Sequence, residues 1–281
     1  MRNPYFLFIF LIASSFSIAQ ETIPFRLTQH NNIIISTLVN EKDSLDLMFQ
    51  ISMKDAAISP NRKNPVTSID FQNEISENNS VKMGNKKWEN IRFFENEYSG
   101  HESDGKIGKV LFGNQIFAID YDNNQFVIYE SLPNVKEYTA IPLLVDGDNF
   151  LVVADNVFDW QENEIWFLMQ SGFSGAIMYS NEEAKERQLA QKLKITHEQE
   201  FQDSQGNKVF SKQGILPFLQ FGNTVFQDVK IGFFEGDARV QFWNYFGADL
   251  MKRFNWIFDV ENETAYIKPS KYLLHSFYEF E

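Results

Sequence analysis

Leu45-Asp46-Leu47-Met48-Phe49-Gln50-Ile51-Ser52-Met53-Lys54-Asp55-Ala56-Ala57-Ile58 is a phrase that the chain repeats as Ile165-Trp166-Phe167-Leu168-Met169-Gln170-Ser171-Gly172-Phe173-Ser174-Gly175-Ala176-Ile177. Each copy is an apolar strand that meets a polar turn at a glutamine and leaves through small residues toward an aliphatic position. Gln50 and Gln170 are 120 positions apart. The flanking sequence repeats too. Ile23-Pro24-Phe25 and Asn31-Asn32-Ile33-Ile34-Ile35-Ser36 return 118 positions on as Ile141-Pro142-Leu143 and Asn149-Phe150-Leu151-Val152-Val153-Ala154.

Two further blocks follow in the same order. Met83-Gly84-Asn85 with Trp88-Glu89-Asn90-Ile91-Arg92 returns at a shift of 138 as Phe221-Gly222-Asn223 with Phe226-Gln227-Asp228-Val229-Lys230. Gly-Asn between apolar runs predicts a hairpin in each half. Ile107-Gly108 with Ile116-Phe117-Ala118-Ile119-Asp120 returns at a shift of 139 as Phe246-Gly247 with Asn255-Trp256-Ile257-Phe258-Asp259, and in both copies the Gly precedes the Asp by 12 residues. Asp120-Tyr121-Asp122-Asn123 and Asp259-Val260-Glu261-Asn262 are turn sequences leading into Gln125–Tyr129 and Thr264–Lys268. Ordered blocks with slowly growing offsets are what duplication followed by insertion leaves behind.

The shared order resembles that of the aspartic-peptidase family: an apolar strand, an Asp-Thr/Ser-Gly turn, a hairpin, then a closing block followed by a strand ending Ile-Asp-Tyr. Asp104-Gly105-Lys106-Ile107-Gly108 with Ile119-Asp120-Tyr121 fits the first closing block, and Phe246-Gly247-Ala248-Asp249-Leu250 with Phe258-Asp259-Val260 fits the second. The resemblance runs from about Ile23 to Pro269. It implies an all-β fold of two pseudo-symmetric lobes, a double β-barrel with few short helices. The expected lobes are residues 20–134 and 135–281, divided in the polar stretch around Pro133.

At the turns, however, the family's two Asp positions hold Gln50 and Gln170. Gln50-Ile51-Ser52 and Gln170-Ser171-Gly172 are therefore the binding positions that the resemblance implies, with no catalytic residue among them. The family's chemistry needs two carboxylates sharing a proton, one acting as base on water and the other as acid toward the substrate carbonyl. A Gln amide neither ionises nor takes up a proton at ordinary pH. The hydroxyl after each Asp normally helps lock the turns together, and the Gly permits close approach; Ser171 and Gly172 keep both features, and Ile51 and Ser52 lose them. Asp55 falls where the family has small exit residues and is read as a turn or cap carboxylate.

Composition narrows the classes further. The formal charge is −13, which argues against nucleic acid, because phosphate binding needs clustered Lys and Arg. The 29 Phe residues favour packed β-structure. With no Cys, disulfides, thiol nucleophiles, Cys-ligated metals and lipid-modified cysteine are excluded. Arg2, the apolar run Tyr5 to Ile12 and Ser17-Ile18-Ala19 read as a signal peptide over residues 1–19. That run is well short of the roughly 20 residues that span a bilayer, so no stable membrane anchor is expected after the leader is removed. The expected location is the bacterial periplasm or the exterior.

Ser180-Asn181-Glu182-Glu183 offers a capping box, and the helix-forming residues from Ala184 to Leu193 predict one surface helix with a solvated, charged face. His30, His101, His197 and His275 have no metal-ligand spacing and are read as surface or turn residues. Gly172-Phe173-Ser174-Gly175 is one residue too tight for a serine-hydrolase elbow, and no phosphate-binding Gly-rich loop occurs. No cofactor or metal is expected. The expected function is an inactive aspartic-peptidase homologue that binds a peptide or protein segment between its lobes, or serves as a scaffold. The alternatives are an active endopeptidase with an unconventional dyad, and a cleft filled by aromatic side chains in a protein that acts through its surface.

Overall fold

The structure is a computed structural model that describes residues 21–100, 102–158, 161–202, 208–236 and 238–279; the expected leader lies outside them. Among these residues the chain forms two sheets, one of 13 strands and one of 7. Alternation drives the pattern: along Thr139–Asp146, Ile141 and Leu143 point into the core while Pro142 and Leu144 face out. The fold is all-β and two-lobed, as the resemblance implies.

The duplicated blocks are duplicated strands. In the first half, Asp43–Phe49 pairs antiparallel with Ile33–Val39 and parallel with Gly105–Ile107, placing Phe49 beside Ile107. In the second, Gln161–Gln170 pairs antiparallel with Asn149–Phe158 and parallel with Tyr245–Gly247, placing Met169 beside Phe246. The exit strands follow suit: Ala56 lies opposite Ile107 and beside Phe93, and Ile177 lies opposite Phe246 and beside Ile231. The Gly-Asn hairpins join Ile75–Met83 to Lys86–Phe94 and Lys208–Phe221 to Thr224–Gly236. Even the positive φ angles repeat, at Gly84 and Gly222, Asn90 and Asp228, Asn124 and Glu263.

The halves are stitched along a ribbon running Glu21–Pro24, Gln125–Tyr129, Ile116–Asp120, Phe254–Asp259, Thr264–Pro269 and Thr139–Asp146. Its seam pairs Phe117 with Phe258 and Ile119 with Trp256. Much of the Phe content goes into this region. Phe112 stacks on Phe117 at 3.9 Å between centroids, Phe117 on Phe258 at 4.8 Å, and Phe258 on Trp256 at 5.5 Å. Each buried aromatic of this size contributes about 1.5–3 kcal/mol over leaving it exposed, so one core spans both halves.

The predicted single helix differs from what forms. Ser180 caps Asn181–Glu186 by accepting the Glu183 N–H at 3.1 Å, as expected, but Glu183 pairs forward with Arg187 rather than back across the cap. The chain then breaks at Gln188, whose φ of 56° is left-handed, and resumes as Leu189–Lys192. Ala184 and Leu189 are buried. With those two side chains buried, the segment is not a wholly solvated face. Among the described residues no helix is long and apolar enough to cross a membrane.

Candidate functional site

Both glutamines sit where a strand ends in a turn. The Met53 N–H returns to the Gln50 carbonyl at 3.2 Å, and the Phe173 N–H returns to the Gln170 carbonyl at 3.1 Å. Behind each turn lies a glycine of the closing block. Gly108 and Gly247 donate to the Asp55 and Ala176 carbonyls at 2.7 and 2.8 Å. A Cβ on Gly108 would stand 2.2 Å from the Met53 oxygen, and one on Gly247 would stand 2.1 Å from the Gly175 oxygen. Only glycine lets the closing strand come this near, which explains why it stands at the same offset in both halves.

The two turns meet. Gln50 Nε2 donates to Gln170 Oε1 and, at 3.0 Å, to Ser52 Oγ. Gln170 Oε1 also takes the Gly172 N–H at 3.3 Å. Beneath them the Ser171 hydroxyl accepts the Ile51 N–H at 3.0 Å and donates to the Phe49 carbonyl at 2.8 Å. Ser171 and Ile51 are buried, whereas Gln50, Ser52, Gln170 and Gly172 are partly exposed. All six positions singled out in the sequence thus form one cluster. Asp55 is not part of it: its side chain lies 3.9 Å from Arg92, at the start of Ala56–Ile58.

Several supporting residues were not singled out. Asn32 donates to the Ser171 carbonyl at 3.0 Å and Asn31 to the Ser174 carbonyl at 2.8 Å, so a turn of the first half holds the second half's loop. Asn31 Oδ1 in turn accepts from Lys252, which pairs with the fully buried Asp249. Lys109 donates to the Ile51 carbonyl at 2.6 Å and to the Asp148 carbonyl, with its ammonium 4.6 Å from the Phe150 ring. Burial depresses the Lys109 ammonium to about 8, against a small opposing pull from Asp148.

Gln50 and Gln170 form part of the wall of a cleft of about 690 Å³. It is open, so aromatic side chains do not fill the gap between the turns. Tyr98, Phe173, Tyr245 and Tyr278 nevertheless line it, with His30, Asn32, Met48 and Lys106. Among the described residues no carboxylate lines this cleft. Asp104, from the first closing block, is buried elsewhere as a structural anchor: it accepts from the backbone of Asp46, Lys63 and Asn64 and from the Asn64 side chain.

Tyr278 comes from the C-terminal tail. Arg253, 1% exposed, donates to the Leu273, His275 and Ser276 carbonyls at 2.8, 2.7 and 3.3 Å and lies 4.1 Å from the Phe277 ring. Asp249 accepts the Tyr278 N–H at 2.8 Å. The Tyr278 hydroxyl then meets His30 Nδ1 at 2.6 Å, from the other half of the chain. His30 is accordingly a turn residue, as read, but one that lines the cleft. His197 lies on an outer strand, His275 lies in the tail, and His101 lies outside the described residues. Among the described residues no group of three His, Asp or Glu side chains is arranged to hold a metal.

No protein-family model matches this chain, and no curated protein matches it. A solved structure does. The crystal structure of aspartic proteinase from Irpex lacteus matches over 92% of this chain and 99% of that one, with a TM-score of 0.55 and 11% sequence identity. The molecule therefore has the two-lobed, all-β fold of the pepsin-like proteinases, and at this identity the likeness is one of fold alone.

Proposed function

We propose that this protein is a non-hydrolytic relative of the aspartic peptidases, exported by its N-terminal leader, that holds a peptide or protein segment in the cleft between lobes 20–134 and 135–281, or serves as a scaffold through it. The observation that carries the reading is the direct hydrogen bond from Gln50 to Gln170 on the cleft wall. Water attack on a peptide carbonyl needs a base to take the water proton and an acid to give one to the carbonyl oxygen. An amide pair supplies neither at ordinary pH. It can still hydrogen-bond an extended ligand backbone, and the aromatic lining can hold side chains.

The test compares purified wild-type protein with the Gln50→Asp/Gln170→Asp double variant on an unfolded protein substrate at acidic pH. The expected result is no cleavage by the wild type and gained cleavage by the double variant. Wild-type cleavage that disappears on substitution of Gln50 or Gln170 would establish the unconventional dyad instead.

A further inference from the structure

The hydrogen bonds at the two glutamines leave a directional residue. Gly172 N–H is a donor, so the Gln170 atom that faces it at 3.3 Å must be the amide oxygen. The same oxygen receives Gln50 Nε2. The Gln50 oxygen is turned toward the same glycine, 2.7 Å from where a Gly172 Cβ would stand. Both side-chain oxygens therefore gather over Gly172. What remains is Gln170 Nε2, whose two protons find no acceptor among the described residues. A pair of carboxylates would present only acceptors here; this wall adds an amide donor.

A charge on the same cleft wall has the same preference. Lys106 stands beside Met48 in the parallel pair, two residues before Gln50, and lines the same cleft. Its partner Glu97 is 3.4 Å away with a side chain 43% exposed, a solvated pair that contributes little and can be shared with a ligand. In a chain of formal charge −13, a cleft lined by a lysine and an amide donor, with no carboxylate among its described lining residues, departs from the acidic balance of the whole.

We propose that this cleft is a carboxylate receptor, in which Gln170 Nε2 and Lys106 Nζ hold a peptide's carboxylate while the tyrosines and Phe173 take the neighbouring apolar group. The carboxylate belongs to an acidic side chain or to a chain terminus. The inference deepens the peptide-binding reading and rests on it only for the peptide itself.

The first measurement uses phenylacetate and its neutral isostere phenylacetamide as probes on the wild-type chain, followed through the Gln170 side-chain amide resonances. Phenylacetate is expected to shift them and to bind about tenfold more tightly than the amide, as a charge-assisted hydrogen bond implies. Gln170→Glu and Lys106→Met are each expected to remove that preference, with thermal unfolding confirming that they fold. Equal response to both probes, or response to neither, overturns the receptor. Acetylated, amidated Phe-Glu-Phe set against Phe-Gln-Phe with a free C-terminus then separates the side-chain source from the terminal one. Phenylacetate binding with no peptide binding would leave the receptor standing and remove the peptide-binding reading.

Discussion

Ser171 clasps Ile51 from the other half of the chain, beneath the glutamines: its hydroxyl takes the Ile51 N–H at 3.0 Å and donates to the Phe49 carbonyl at 2.8 Å. The clasp is one-sided, because Ile51 carries no hydroxyl to return it. Ser171→Ala leaves that N–H and carbonyl without their partner in a buried site. The expected loss is about 1–3 kcal/mol, measured by urea unfolding, with Ser171→Thr retaining most of the stability. A Ser171→Ala variant as stable as the wild type would show that the clasp is incidental.

Asp43 should dominate the acid limb of the stability curve. Burial raises its pKa, but side-chain and backbone hydrogen bonds from Ser68 and Thr67 outweigh burial and hold it at about 2. The folded value lies below the unfolded one of about 4. The contribution, about 2 kcal/mol, is therefore complete above pH 4 and lost as pH falls toward 2. Asp43→Asn should flatten stability over that window, leaving a smaller acid dependence from Asp104, whose carboxyl is likewise lowered because its hydrogen bonds outweigh burial.

Lys109 predicts an effect at the other end of the scale. With its ammonium at about 8 in the folded chain and about 10.4 when unfolded, the unfolded state binds more protons between those values. Stability should therefore rise with pH across that interval and be lost as pH falls through 8. Direct NMR titration of the Lys109 Nζ should show a midpoint near 8, and Lys109→Met should abolish the slope. A midpoint near the ordinary lysine value would contradict the burial described for this side chain.

The tail should undock when its anchor is removed. Arg253→Met withdraws the donors from the Leu273, His275 and Ser276 carbonyls and one partner from buried Asp249. A loss on the order of 3 kcal/mol is expected, at the low end because Lys252 still faces Asp249. Amide exchange over 273–278 should accelerate. Tyr278→Phe, which removes the hydroxyl that meets His30, should cost about 1 kcal/mol and leave the tail docked.

Whatever was local and repeated could be read from the chain. The Gly-Asn pairs announced the hairpins, and the Gly108 and Gly247 offsets announced the closing strands. That Gln50 and Gln170 meet was implied by the resemblance to the aspartic-peptidase family, which the repeated strand-Gln phrase carries. The helix break at Gln188 was not legible, since no Gly, Pro or Asn marks it in the sequence. Nor were the side chains surrounding the glutamines. Asn32 and Ser171 are 139 positions apart, Asn31 and Ser174 143, and His30 and Tyr278 248. Contacts at such separations break the repeat and leave no period or motif behind.

Alone, the sequence determined a repeated β-pattern with a glutamine at each of two equivalent turns, because strand alternation, turn chemistry and side-chain type are properties of neighbouring residues. Tertiary structure alone decided that both amide oxygens turn toward Gly172, that Lys106 and Tyr278 join the same cleft, and that no described carboxylate does. Hydrogen-bond direction and the sign of charge in a cleft depend on which distant groups are brought within a few ångströms, and only the folded chain sets those distances.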